Sequence, residues 1–265
     1  MIVDPRWRNL GWRHPLWDFV RFYNVVSRQK RNFRDDWIAK FKESKFEVES
    51  GEFFPVPNEI VQLFFDYLEA REKYLVRAFE LLRTEEEALA FCTTKKMTVG
   101  KTVTQLEGWY QSSKALVSSV GAVAKLVCDQ KNLEFDSNPQ RRCVWLVNQQ
   151  LHITARNLDG AIPSLANPLI VWEIKEYWGK KNGGSKMSDA VYECNLVGRE
   201  LREFEERSGS RVSHIVFIDG KDQWKSRVSD IRRFIDLFHQ GLIDYLFVGR
   251  DVEKEWEETL SRLLR

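Results

Sequence analysis

The chain has 265 residues, 43% hydrophobic and 30% charged, which is ordinary for a globular protein and long enough for one large domain or two small ones. A net charge of +2 excludes a global basic field that would by itself announce a polyanion partner. No apolar run approaches the ~20 residues that span a bilayer, and Asp4, Arg6, Arg8 and Arg13 stand where a signal peptide would need its apolar core.

Residues 1–46 carry 11 basic and 5 acidic side chains, interleaved with Trp7, Trp12, Trp17 and Trp37. A helix is expected from near Pro15, carrying Phe19, Phe22 and Tyr23, and a second around Trp37 and Phe41. Aromatics among bases could stack on nucleobases and grip phosphates. Packing of a helical subdomain with solvated arginines accounts for the same pattern. Residues 47–92 reverse the sign, with 4 basic and 11 acidic side chains. After Pro55 and Pro57, the residues Ile60, Leu63, Phe64, Tyr67 and Leu68 recur at helical spacing in an acidic amphipathic run reaching about Leu89. Residues 1–100 therefore read as a helical N-terminal region for DNA recognition, dimerisation or both, ahead of a second domain over 101–265.

Residues 93–156 are basic again, 9 against 4. A polar connector, Thr98–Thr104, leads into a long helix from about Thr104, whose second half, Ala115–Cys128, is small and apolar almost all round and suits burial beneath a sheet. Asp136, Asn138 and Pro139 mark a turn. Strands are expected at Cys143–Val147 and Leu151–Arg156, then at Leu169–Lys175 after a proline-closed loop. Gly179–Ser188 reads as a flexible basic loop, followed by a helix bearing Val191, Leu196, Val197, Leu201 and Phe204. His214–Ile218 and Tyr245–Val248 are short apolar runs typical of buried strands. Between them Ser229 is placed to cap a helix that Gly241 stops, and Val252–Leu264 forms a terminal helix. The first three strands suit an antiparallel meander, and the later ones should join in parallel through helical crossovers. The expected fold class is thus α/β, a mixed sheet flanked by helices.

Cys92, Cys128, Cys143 and Cys194 form no CxxC pair, and with four histidines a zinc site is not expected. Reduced, buried thiols in a cytoplasmic protein without membrane attachment fit this usage. A metabolic enzyme is disfavoured, since the chain has no Gly-rich phosphate loop, nucleophile elbow or zinc signature.

The chemistry concentrates in Asn157-Leu158-Asp159-Gly160 and in Ile170-Val171-Trp172-Glu173-Ile174-Lys175. Strand alternation sends Glu173 and Lys175 to one face with Val171, and Trp172 and Ile174 to the other. Two carboxylates and an ammonium on one sheet face make a poor core, because buried charges cost several kcal/mol unless paired. They make a good site for Mg²⁺ beside a phosphodiester. The plain alternative is a turn aspartate and a surface ion pair.

This element order, with Asp159 and Glu173-Ile174-Lys175 at the open end of the sheet, resembles the PD-(D/E)xK nuclease superfamily over roughly residues 105–250. That is the fold of most type II restriction endonucleases and of several repair and recombination nucleases. Leu158 departs from the pattern, standing where proline is often found. The stretch Trp172 to Glu206 is also similar to restriction-type proteins in which a Glu-x-Lys strand precedes a Gly-Ser loop and a Tyr-Glu helix.

The resemblance implies catalytic roles for Asp159, Glu173 and Lys175. Asp159, Glu173 and the Ile174 backbone carbonyl would ligate Mg²⁺, for which Mn²⁺ can substitute, with Glu107 as a further acidic candidate. Lys175 would orient or deprotonate the attacking water, leaving 5′-phosphate and 3′-hydroxyl ends. Lys180, Lys181 and Lys186 would hold the DNA backbone, and Tyr192, Glu193 or Arg199 on the next helix could touch substrate. The implied function is a DNA endonuclease of restriction or phage-defence type, acting as a homodimer, with a cognate methyltransferase or defence-system subunit as a further partner. A structure-specific repair or recombination nuclease, an RNA-cutting toxin and a non-catalytic nucleic-acid-binding protein on the same fold stay open as alternatives.

Overall fold

Short apolar runs alternating with amphipathic helices close into a mixed sheet in this chain, whose computed structural model describes residues 1–26, 39, 43, 45–47, 53–102, 111–137, 141–179 and 184–265. The sheet has the order β5 (Gly160–Ile162), β6 (Ile170–Glu176), β7 (Ser213–Asp219), β8 (Tyr245–Val248). β5 is antiparallel to β6, with Gly160 opposite Trp172. β6, β7 and β8 run parallel, with Glu173 opposite Val216 and Lys175 opposite Ile218. Both parallel connections carry helices, as the length of a crossover requires.

Each face of the sheet is covered. On one side, Trp172, Ile215, Phe217 and Phe247 pack against Val120, Val123 and Val127 of α5 (Ala115–Gln130) and against Trp256 and Leu260 of α10 (Trp256–Leu263). On the other, Val171 lies beneath Val197, Leu201 and Phe204 of α6 (Ser185–Ser208). Val216 and Ile218 meet Ile235 and Phe238 of α8 (Val228–Gln240) on that same side. Burial of each such large side chain is worth roughly 1.5–3 kcal/mol, and the double cover explains why β6 is apolar apart from Glu173, Lys175 and the terminal Glu176.

The expected three-strand meander is split. β3 (Arg142–Val147) and β4 (Gln150–Asn157) form their own antiparallel pair, and β6 pairs with the short β5 instead. Asn148 and Gln149 both adopt positive φ, the geometry that closes a tight two-residue hairpin. The split falls at Leu158-Asp159. There the Asp159 N–H donates to the Trp172 carbonyl at 3.0 Å, which hands the chain from the hairpin to the sheet.

In the N-terminal region, α1 (Pro5–Arg8), α2 (Leu16–Val26) and α3 (Asn58–Leu81) enclose a core of Trp7, Trp17, Val20, Phe64 and Tyr67, beside a small pair of β1 (Lys45–Glu47) and β2 (Phe53–Pro55). The helix expected around Trp37 and Phe41 and the turn residues Asn138 and Pro139 lie outside the described residues.

Several boundaries move. The acidic helix stops at Leu81 and restarts as α4 (Glu85–Thr94) behind a capping box of Thr84 and Glu87. The cause is remote: Arg83, fully buried, donates to Asp219 at 2.7 Å, and the Arg250 N–H bonds the Leu81 carbonyl. The start expected at Thr104 lies outside the described residues; α5 itself begins at Ala115, after an extended pairing in which the Thr102 and Lys114 N–H groups donate to the Ser112 and Gly100 carbonyls. α6 begins at Ser185, inside the expected loop, and α8 begins at Val228, so Ser229 is not its cap. The terminal helix divides into α9 (Asp251–Lys254) and α10 at Glu255. A short α7 (Lys221–Lys225) follows β7.

All four cysteines are buried and free, and no described helix is long and apolar enough to cross a membrane.

Candidate active site

Alternation along β6 directs Glu173 and Lys175 beneath α6, where they are only 2% and 7% exposed, so they are not a solvated surface pair. The Lys175 ammonium sits 2.8 Å from Glu173 Oε2 and 2.9 Å from Glu193 Oε2 on α6. Glu193 Oε1 accepts from Arg156 of β4 at 2.7 Å. Charges therefore alternate from the partly exposed Arg156 inward through Glu193 and Lys175 to Glu173. Burial pushes the Glu173 pKa up, but Lys175 and His214 outweigh it and hold the carboxyl at about 2. Burial disfavours the Lys175 ammonium, yet Glu173 more than offsets this and raises its pKa. Lys175 is accordingly a fixed cation at neutral pH. Its charge is fixed in place by the two carboxylates it bridges.

His214, on β7 beneath the same helix, brings Nε2 within 3.4 Å of Glu173 Oε1. The contact lacks hydrogen-bond alignment, and both atoms are buried without a partner. Cys194, on the buried face of α6, completes the wall. Burial and the Glu173 carboxylate beside it push its thiol pKa up, so this is a neutral packing group and not a thiolate nucleophile.

Asp159 stands at the edge of the same cluster and is exposed. Its Oδ2 accepts the Ile174 N–H at 2.7 Å, one step beyond the end of the β5 pairing. The alternation that points this N–H at Asp159 sends the Ile174 carbonyl to the same strand edge. The protein around the carboxylate limits its hydration and raises its pKa, against the pull of the Ile174 N–H and of Lys175, although the residue stays open to solvent. Gly160 follows because nothing larger fits: a Cβ there would come within 1.8 Å of the Trp172 ring.

The structure thus brings Asp159, Glu173, Ile174 and Lys175 together. Glu107, Lys180 and Lys181 lie outside the described residues. Lys186 is exposed in the first turn of α6, and Arg199 rests its guanidinium 5.3 Å from the Trp12 ring centroid. Arg156 and His214 escaped sequence reasoning, because neither carries a motif. Glu193 had a usable signal, an acid flanking the apolar stripe of Ala190, Cys194, Val197 and Leu201 that faces the sheet.

Residues 80–263 match the family described as Domain of unknown function (DUF7687). The chain belongs to this family. No curated protein and no solved structure matches it. The DUF7687 span opens just before the buried Arg83 and contains the entire sheet, so Asp159, Glu173, Lys175 and Glu193 all lie in the family domain. α1, α2 and nearly all of α3 precede it.

Proposed function

We propose that this DUF7687 protein is a Mg²⁺-dependent DNA endonuclease of restriction or phage-defence type, with Mn²⁺ able to substitute and a homodimer as the working form. The observation that carries the reading is the Asp159–Ile174 hydrogen bond, which seats an exposed carboxylate on the strand edge beside the buried Glu173–Lys175 pair.

The residues fit a hard divalent cation. The cluster offers the open Asp159 carboxylate and the unpartnered Glu173 Oε1. The Ile174 carbonyl shares their strand edge. Among the described residues no three acidic, histidine or cysteine side chains converge into a closed cage. Mg²⁺ asks for less, since it is commonly held by one or two carboxylates and keeps several waters. When bound, it supplies Lewis acidity and a water of lowered pKa. Asp159 and Glu173 would hold it, and Lys175, kept protonated by two carboxylates, would offset charge building on the scissile phosphate. Glu193, itself fixed by Arg156, positions that ammonium.

The burial of Glu173 and Lys175 favours a second reading, a non-catalytic nucleic-acid-binding protein in which the ion-pair chain is structural. Unmodified phage DNA incubated with wild type and with Asp159→Asn, each with and without Mg²⁺, separates the two. Products that require both Mg²⁺ and Asp159 support the nuclease. DNA left intact by wild type, or cut equally by Asp159→Asn, removes it.

A further inference from the structure

A cleft of about 260 Å³ opens between α2, α6 and α8, in a part of the molecule that the carboxylate–lysine cluster does not use. Its floor is apolar, made by the buried Trp17, Val20, Val191 and Leu237. Gln240 enters this floor from the last turn of α8 and is 5% exposed. Its carboxamide has no hydrogen-bond partner among the described residues, and its polar atoms are not sealed off, so they address the cleft. Facing an open cleft, this amide is free to pair with a ligand that supplies both a donor and an acceptor.

Two further carboxamides, Asn24 and Asn195, line the walls, their oxygens accepting from Arg71 and Arg199 and their amide nitrogens left as donors. Tyr192 stands at the rim, 59% exposed, with the Arg233 guanidinium 5.7 Å from its ring centroid. Asp236 contributes no free charge, since it already accepts from the Tyr67 hydroxyl at 2.6 Å and pairs with Arg71 at 3.3 Å. The rim arginines each face a carboxylate, Arg21 that of Asp18 and Arg233 that of Asp230, which Arg227 shares.

We propose that this cleft is a nucleobase-binding site. Side-chain amides present a donor and an acceptor side by side, the pairing that reads a base edge. An exposed tyrosine ring offers a stacking platform that any base can use. The volume falls just under the roughly 300–1,000 Å³ of drug-sized sites, which suits a single base with its sugar. The base can arrive on a free nucleotide or turned out of a strand, and both present the same edge and faces. Tyr192 and Glu193 are neighbours on α6 but leave it from different faces, so the site does not depend on the nuclease reading.

The test is calorimetric titration of the full chain, without divalent metal, with each of the four deoxynucleoside 5′-monophosphates and with a mixed-sequence single-stranded oligodeoxynucleotide. Saturable binding is expected, weakened about tenfold or more by Tyr192→Ala, the effect of losing one base stack. Gln240→Leu, of similar volume, should weaken binding and flatten any preference among the bases. Circular dichroism and thermal melting confirm that both variants fold. Binding of mononucleotides identifies a free-nucleotide site, and binding of the oligonucleotide alone identifies a site for an extruded base. No saturable binding of either probe, or binding that both substitutions leave unchanged, overturns the proposal.

Discussion

Lys175 is shared between two carboxylates, Glu173 on its own strand and Glu193 on α6, at 2.8 and 2.9 Å. The sharing ties the sheet to the helix above it, and it makes the stability of the site inseparable from its charge. Lys175→Met should cost about 3–5 kcal/mol at pH 7, because it leaves Glu173 buried without its ammonium partner. Adding Glu173→Gln should recover part of that loss, giving a coupling energy of roughly 0.5–3 kcal/mol in the double-mutant cycle. Glu173 is held at about 2, below its ordinary 4.5, so its contribution is complete above pH 4.5 and fades as pH falls towards 2. Urea unfolding of the four proteins at pH 7 decides this; additive single effects would mean that the pair is not coupled.

Asp159→Asn is the substitution that separates chemistry from folding. Asp159 is exposed and makes no ion pair among the described residues, and an asparagine oxygen can still accept the Ile174 N–H. Stability should change by less than about 1 kcal/mol, while Mg²⁺-dependent cleavage is lost. Thermal melting beside a plasmid assay measures both. A folded variant with wild-type cleavage would show that Asp159 has no part in the reaction.

Local sequence and remote contact explain what was legible beforehand. The strand Tyr245–Val248 was readable to the residue because it is a short apolar run ended by Gly249. The two faces of β6 followed from alternation alone, and Glu173 and Lys175 do share the buried α6 side. The break at Leu82–Thr84 was not readable, since its cause is Asp219, 136 positions away. The detachment of the β3–β4 hairpin was hidden for a similar reason. Its outward side bears Leu146, Leu151 and Ile153, all substantially exposed, so its apolar content alone does not set it apart from a strand of the main sheet. Within the site, Asp159 and the Glu-x-Lys pair were visible as residue types. The Glu193–Arg156 arm was not, because it forms only when a helix and a strand from separate parts of the chain meet.

Gly160→Ala tests how tightly the loop sets Asp159. A methyl group there would overlap the Trp172 ring, with the nearest atom at 1.8 Å, so either the indole or the β5 backbone must shift. Overpacking of this kind costs about 1–3 kcal/mol. Displacement of Asp159 by a fraction of an ångström should lower cleavage more than the stability loss explains. Near-ultraviolet circular dichroism would report the change around Trp172, and an unchanged spectrum with unchanged cleavage would refute the steric argument.

Glu176, the last residue of β6, supplies a pH response of its own. Its carboxylate accepts the Leu116 N–H at 2.7 Å and the Trp178 indole N–H at 2.6 Å, joining the end of the strand to the start of α5. Burial raises its pKa to about 7 despite those donors, from an ordinary 4.5. The folded protein then holds this proton more tightly than the unfolded chain, so stability falls as pH rises from 4.5 to 7 and levels off above it. At 1.36 kcal/mol per pKa unit the loss is at most ~3 kcal/mol. Glu176→Gln keeps an acceptor oxygen but has no proton to lose, so its stability relative to wild type should climb over that interval. Urea midpoints of both proteins at pH 4.5, 6 and 7.5 isolate this group, because every other titration cancels in the difference. A difference that stays constant with pH would mean that Glu176 titrates in the folded protein as it does in the unfolded chain, and that the two hydrogen bonds offset its burial in full.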